Sequence, residues 1–393
     1  MIIVQNKKDC CGCGACVQAC RRHCISMQSD GEGFLYPKVD DQACINCGLC
    51  EKVCPILNKQ EKREPLMVYA AKNRDGNIVG QSSSGGVFSH VATQIINKGG
   101  VVFGARFADD WSVIHDYAET LDGVRPFMSS KYVQSIIGDA YSKVKKFLVE
   151  GRLVLFTGTP CQVAGLISYL SKPYDNLFTM DFLCHGVPSP LVWHRYLEHE
   201  VYKRRKYNSS KSLISDVCFR EKSNGWKDFR LVIRFADIDE KEKSNAVFSY
   251  HHKENSYMKG FLKNLYLRPS CYQCCFKRFQ SHSDLTIADF WAISRVRPDF
   301  YDRSGVSMVF INTHRADNFF YESGLDLVEV EYGDTMSNHG LRENTPCHPK
   351  RDYFFRHFDA NANVEKLILK CVDEVFVIRM LKKFRNVVKR LVK

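Results

Sequence analysis

The sequence predicts an α/β protein in three parts: a small cysteine-rich α+β segment, a larger mixed α/β domain and a C-terminal helix. Three observations carry this. Ten of the eighteen cysteines fall within the first 54 residues, in two similar runs. From Met67 onward, strand-like apolar runs alternate with helix-like ones, the rhythm of a mainly parallel sheet with helices on its faces. From Asn363 apolar residues recur at helical spacing. With 393 residues, 45% apolar and 25% charged, the chain has material for two or three cores and does not have the composition of a disordered or fibrous protein.

The first part, residues 1–57, is defined by its cysteines. Cys10, Cys13, Cys16 and Cys20 fit C-x2-C-x2-C-x3-C, and Cys44, Cys47, Cys50 and Cys54 repeat it, with Pro55 after the last. This is the spacing of bacterial ferredoxins with two [4Fe-4S] clusters. Three thiolates on one tight loop reach three irons of a cubane, and the fourth, three residues on, reaches the other cube. One cluster is therefore expected on Cys10, Cys13, Cys16 and Cys54, the other on Cys44, Cys47, Cys50 and Cys20. Gly12, Gly14 and Gly48 suit loops whose amides approach sulfide closely. Arg21 stands where the pattern has a second proline, which loosens a turn but removes no ligand. Cys11 and Cys24 are surplus and are read as non-ligands. Zinc is the competing reading, but no histidine stands in ligand register. The intervening "GEGFLYPKVDDQ" reads as a hairpin.

Residues 58–66 are charged and read as a linker. The region 67–150 opens with the strand "MVYAAKN", then a helix in "SGGVFSHVATQIINKGG", the strand "VVFGARF" and an amphipathic helix over 137–149. The region 151–320 has strands at "RLVLFTG" and "NLFTMDFLCHG", each followed by a helix. Strands predominate from about 210 to 255, and "LTIADFWAI" and "SMVFINT" are later strands. Residues 321–393 form an extension ending in one long basic amphipathic helix.

Further cysteines lie where chemistry is expected. Cys161 opens a helix just after a buried strand, where the helix N-terminus favours thiolate. Cys184 ends the next strand. In an open α/β sheet the carboxyl ends of neighbouring strands face the active crevice, so the two should be close. Cys271 and Cys274 form a C-x2-C, with Cys275 beside them. Together these four thiols suffice for a third cubane, and ordinary buried cysteines are the alternative. Cys218, Cys347 and Cys371 read as packing residues. "QSSSGGVFSHV" is a glycine-rich turn entering a helix, a place that presents free amides to a phosphate. His185 and His194 are weak proton-donor candidates.

The series "SSGGVFSHVATQIINKGGVVFGARF", "SSKYVQS", "GTPCQVAGL", "DFLCHGVPSP", "RPSCYQC" and "SDLTIADFW" resembles, in that order, the family of coenzyme F-420 hydrogenase/dehydrogenase beta subunits, with a ferredoxin-type segment in front. Such proteins are similar to electron-input subunits of hydrogenases and to plant reductases acting on chlorophyll intermediates. The resemblance covers residues 1 to about 315 and implies an iron–sulfur flavoprotein carrying FAD within a mixed α/β flavin-binding domain. It places Ser83, Ser84, Gly85 and Gly86 against the flavin, and Ser130, Lys131, Tyr132 and Gln134 in a second flavin-side motif. It also supports the third cluster at Cys161, Cys184, Cys271 and Cys274, and points to Asp289 as a structural or cofactor-side carboxylate. No catalytic acid stands out beyond the weak candidates His185 and Asp289.

The implied activity is electron transfer between a one-electron carrier such as a ferredoxin and a small two-electron substrate, through the clusters and FAD. An electron-transfer subunit without its own substrate is the alternative. The formal charge of +12 is concentrated at the end, where Arg379 to Lys393 carry seven Lys or Arg and no acid. That argues against nucleic-acid binding, and no helix-turn-helix is visible, which disfavours a redox sensor acting on DNA. The apolar stripe Ile368, Val372, Phe376, Met380, Phe384, Val388 and Leu391 allows a peripheral membrane contact. No signal peptide or spanning stretch is visible, so a cytoplasmic location with reduced thiols is expected.

Overall fold

A computed structural model describes residues 1–207, 212–237, 246–321 and 324–373. The N-terminal segment holds a hairpin of β1 (Ile25–Ser29) and β2 (Leu35–Val39), paired antiparallel. It also has two short helices, α1 (Ala15–Ala19) and α2 (Leu49–Lys52). Each starts from a left-handed glycine, Gly14 at φ 73° and Gly48 at φ 75°. A side chain is strained in that backbone, so the glycines foreseen for the cysteine loops are required there.

The body is an eight-stranded sheet. Its strands are β3 (Met67–Asn73), β4 (Val101–Phe107), β5 (Val113–Ala118), β6 (Val154–Thr157), β7 (Leu177–Phe182), β11 (Leu285–Asp289), β12 (Ser307–Ile311) and β13 (Leu325–Glu329), in the order β13-β3-β12-β11-β7-β6-β4-β5. The expected parallel sheet exists only in its centre, where β4, β6, β7 and β11 run parallel. The flanking pairs are antiparallel, so the sheet is mixed. The physical reason lies in connection length: β4 and β5 are joined by a short turn, which permits only antiparallel pairing. A separate antiparallel sheet, β10-β9-β8, is built from β8 (Ser212–Glu221), β9 (Arg230–Asp237) and β10 (Ala246–His251).

Three helices matter for the site. Helix α3 (Val87–Asn97) buries Val87, Val91 and Ile95 on the sheet at helical spacing. Helix α4 (Ala140–Val149) buries Tyr141, Val144 and Leu148. Helix α5 (Pro160–Leu170) is started by a capping box between Thr159 and Gln162, with Pro160 at its first turn.

The C-terminal extension differs from one long helix. Helix α6 (Val364–Val372) is capped by Asn363 and followed by Asp373 in extended backbone. Its apolar side, including Ile368 and Val372, is buried in the core with Tyr257, Phe261 and Phe354. That part of the stripe is occupied by the protein's own interior. Residues 374–393, with Phe376 to Leu391 of the stripe, lie outside the described residues. Among the described residues no helix is long and apolar enough to cross a membrane. The charged segment 58–66 is tied to the body: Arg63 donates to the Ser283 carbonyl at 2.6 Å, and Leu66 N–H to that of Ile311 at 2.7 Å.

Candidate functional site

The cysteine loops fold as their spacing requires. Cys16, Cys20, Cys24 and Cys50 are buried together, with Cys44 and Cys54 packed against them. The Cys16 thiol is pushed up to about 12 by burial and by the neighbouring Cys10 and Cys54. Thiols crowded this way hold their protons unless a metal takes them. Cys54, from the second run, lies near enough to Cys10 and Cys16 of the first for the three thiols to act on one another. Cys24 lies 3.4 Å from Cys20, sulfur to sulfur, and its thiol is raised to about 11 by Cys20 first, with Cys44 also contributing. Ile2 N–H donates to the Cys50 sulfur at 3.2 Å. Cys47 is exposed at the surface of the segment.

A second set of thiols converges in one cleft of the larger domain. Cys161, Cys184, Cys271 and Cys274 line it, together with the surplus Cys11 and Cys275. Cys161 follows β6 and Cys184 follows β7, and these strands are parallel neighbours, so their carboxyl ends bring the two together. Gly186 lets the chain pass close to Cys271, and Val187 N–H donates to that sulfur at 3.4 Å. Lys277 lines the cleft and donates to the Cys184 carbonyl at 2.7 Å.

Cys161 departs from expectation. Its thiol is held well above the ordinary range by a hydrogen bond with Cys11 and by burial. The helix N-terminus alone would favour thiolate, but a neighbouring thiol and desolvation outweigh it. Cys184 is likewise pushed up to about 12, chiefly by burial. Among the described residues no three His, Cys, Asp or Glu side chains converge on a single-ion site. A cubane takes its four thiolates from separate directions, and a cleft lined by thiols beside Lys277 and a buried arginine suits an anionic cluster.

Helix α5 joins the two thiol sets. Cys161 stands in its first turn, and about one turn on a Cβ at Gly165 would meet Cys13 Cβ at 2.9 Å and its sulfur at 3.0 Å. The first cysteine loop thus lies directly on the helix that opens into the cleft.

The serine–glycine loop before α3 is closed by its own contacts. Ser83 Oγ meets Ser130 Oγ at 2.7 Å and accepts from Ser130 N–H at 2.7 Å. Ser84 Oγ donates to the Val306 carbonyl at 2.8 Å, and Gly85 N–H donates to Ser307 Oγ at 2.9 Å. A Cβ at Gly85 would collide with the Ala71 carbonyl, and Gly86 caps α3 at φ 82°. Lys131 donates to the Met128 and Ser129 carbonyls at 2.9 and 3.3 Å, and burial lowers its pKa to about 7. Tyr132 stacks on Phe261 at 4.7 Å between ring centroids. Gln134 stands apart from this group: it donates to the Cys11 carbonyl at 3.1 Å, so its amide is engaged at the cysteine segment.

Two residues with no sequence signal complete the loop. Arg220, 3% exposed, donates to Asp289 Oδ2 at 3.0 Å, to the Tyr132 hydroxyl at 3.2 Å and to the Ser83 carbonyl at 3.1 Å. Asp289 is thus an ion-pair partner that positions Arg220. Lys222 donates to the Val79, Ser84 and Ser304 carbonyls at 2.5, 3.3 and 2.7 Å, and burial lowers its pKa to about 8. Among the described residues neither Lys131 nor Lys222 forms an ion pair with a carboxylate; Asp289 and Asp302 act on Lys222 from a distance. His185 borders the thiol cleft, with Nε2 2.7 Å from Asn264 Oδ1, and burial lowers its pKa.

Residues 151–330 match the family described as the C terminus of the coenzyme F420 hydrogenase/dehydrogenase beta subunit, and residues 9–57 match a 4Fe-4S dicluster domain. An F(420)H(2) dehydrogenase subunit of Methanosarcina mazei is 27% identical over 172 residues, which is 39% of this chain and 46% of that protein. The chain therefore spans about half the length of that curated relative. "Ferredoxin 7Fe" of Hydrogenibacillus schlegelii is 39% identical over 64 residues, 16% of this chain and 76% of that protein. A solved F420-reducing [NiFe] hydrogenase complex from Methanosarcina barkeri contains a chain that aligns with a TM-score of 0.47 and 14% identity, covering 76% of this chain and 94% of that one. A dicluster segment at the N-terminal end thus stands ahead of a region that matches the C terminus of coenzyme F-420 hydrogenase/dehydrogenase beta subunits.

Proposed function

We propose that the chain is an iron–sulfur flavoprotein oxidoreductase that moves electrons between a one-electron carrier, such as a ferredoxin, and a two-electron substrate. The observation that carries this is the convergence of Cys161, Cys184, Cys271 and Cys274 in one cleft, on the helix against which Cys13 packs. In this reading Cys10, Cys13, Cys16 and Cys54 hold one [4Fe-4S] cluster, Cys44, Cys47, Cys50 and Cys20 a second, and the cleft a third. FAD bound to the chain supplies the conversion of single electrons into a hydride. Ser83, Ser84, Gly85 and Gly86 form its loop, Ser130, Lys131 and Tyr132 brace that loop, and Lys131 and Lys222 face its phosphates. Arg220 and Asp289 hold the loop in place. Such thiol chemistry belongs in a reducing, cytoplasmic compartment.

A second reading is favoured by the name of the Methanosarcina mazei relative, a subunit of a dehydrogenase. In it this chain passes electrons to a partner and has no substrate of its own. One experiment tests both. The chain is purified without oxygen and assayed for iron, acid-labile sulfide and released flavin. About twelve irons with one FAD supports three clusters and a flavin, and about eight irons removes the cleft cluster. Iron with no flavin, even after incubation with FAD, overturns the oxidoreductase reading. Turnover with reduced ferredoxin and a hydride acceptor by the chain alone separates the enzyme from the subunit.

A further inference from the structure

Arg268 is one of the largest fully buried side chains, with 0% exposure. A buried guanidinium is costly unless a negative group compensates it. Among the described residues no carboxylate pairs with it. Its donors go elsewhere: Nε to the Cys10 carbonyl at 2.8 Å, Nη1 to Gln134 Oε1 at 3.0 Å, and Nη2 to the Leu35 carbonyl at 2.9 Å and to the Cys10 sulfur at 3.6 Å. Of these partners the ionisable group is a thiol expected to ligate iron. The planar face of the guanidinium lies over Tyr36 at 4.3 Å.

The position of Arg268 is as distinctive as its partners. It precedes Cys271 by three residues and lines the thiol cleft, and its charge also acts on Cys161. A Cβ at Gly12 would meet Arg268 Nη1 at 2.8 Å and Gln134 Nε2 at 3.0 Å, so the first cysteine loop is wrapped against the guanidinium. Arg268 therefore stands between the Cys10 loop and the cleft, joined to both.

We propose that Arg268 is the positioning residue that sets the reduction potential of the cluster on Cys10, at the point where the Cys10 loop meets the Cys161–Cys274 cleft. The inference rests on the cluster reading above. Reduction adds one negative charge to a cluster, and a nearby cation and a hydrogen bond to sulfur both stabilise the reduced form. Arg268 supplies both and so holds the Cys10 cluster at a higher potential than its thiolates alone would. An electron taken up by that cluster would be held beside the cleft that Arg268 also lines. No bond is made or broken.

The test uses the full chain, purified without oxygen, with iron and sulfide counted and the clusters titrated electrochemically while followed by electron paramagnetic resonance. Arg268→Met is expected to move one component to a more negative potential and leave another, the cluster on Cys44, Cys47 and Cys50, where it was. Arg268→Lys, which keeps the charge and loses the fork, is expected to move that component less. If Arg268→Met does not retain iron, Arg268→Gln, which loses the charge and keeps two N–H donors, carries the same expectation. Fully loaded variants with every potential at the wild-type value overturn this assignment and leave the clusters standing. A wild-type chain that takes up neither iron nor sulfide overturns the cluster reading and this assignment with it.

Discussion

Replacing Asp181 by asparagine should make the protein more stable at neutral pH, and the size of the gain should depend on pH in a defined way. Asp181 is 2% exposed at the end of β7, where it borders a cavity shared with Cys184 and Cys274. Burial raises its pKa from 3.8 to about 6, against the hydrogen bonds it accepts from Ser281 at 2.5 Å and Thr286 at 2.6 Å. In the unfolded chain the group titrates near its ordinary value. Between these two values the folded state binds more protons, so folding is weakened as pH rises through that window. A shift of about two units corresponds to about 3 kcal/mol of destabilisation at pH 7, about half of which remains at pH 5 and almost none below pH 4. Asparagine keeps one acceptor and turns the other into a donor, and re-aiming one hydroxyl costs about 1 kcal/mol. The expected net gain for Asp181→Asn is therefore about 2 kcal/mol at pH 7.5, falling and then reversing towards pH 4. The assay is urea unfolding of wild type and variant side by side at pH 7.5, 5 and 4. A difference between the two that does not change with pH would refute the reasoning, because it would mean the buried carboxylate carries no penalty.

Three further outcomes are expected. Gly165→Val should press into Cys13 and the Tyr141 hydroxyl, which sits 2.8 Å from where a Cβ would stand; overpacking of this kind costs about 1–3 kcal/mol, and iron per chain should fall while far-ultraviolet circular dichroism is kept. Lys131→Met should weaken retention of flavin on gel filtration, and the wild type's own retention should tighten as pH is lowered through about 7, where this lysine becomes charged; unchanged retention in the variant would remove Lys131 from the phosphate site. Glu32→Gln should loosen the N-terminal segment, because Arg351, 8% exposed, clamps Glu32 through both guanidinium nitrogens; a loss of about 2 kcal/mol should appear as faster protease cleavage within residues 58–66.

Much of this molecule was legible locally. Strands at Met67, Val101, Leu177, Leu285 and Ser307 follow from short apolar runs between breakers, and the cysteine loops follow from spacing alone, because both depend on contacts within a few residues. The strands β5 and β13 were not foreseen. Both lie at sheet edges, where partial exposure leaves "VIHDYA" and "LDLVE" without a clear pattern. The meeting of Cys161 with Cys184 could be foreseen, since each ends a strand and consecutive parallel strands tend to be neighbours.

By itself the sequence determined the cysteine runs, the left-handed glycines within them and the α/β rhythm behind them. Only the tertiary structure decided that Cys11 faces Cys161, that Gln134 serves the cysteine segment rather than the serine–glycine loop, and that Arg220 sits at that loop and Arg268 at the thiol cleft. Arg268 bonds Cys10 across 258 residues of chain. A lone arginine carries no periodicity or spacing, and what it compensates is fixed by which strands and loops the fold makes neighbours. Long-range convergence of single charged side chains is a property of the assembled sheet, whereas the cysteine code is written in two runs of eleven consecutive residues, Cys10–Cys20 and Cys44–Cys54.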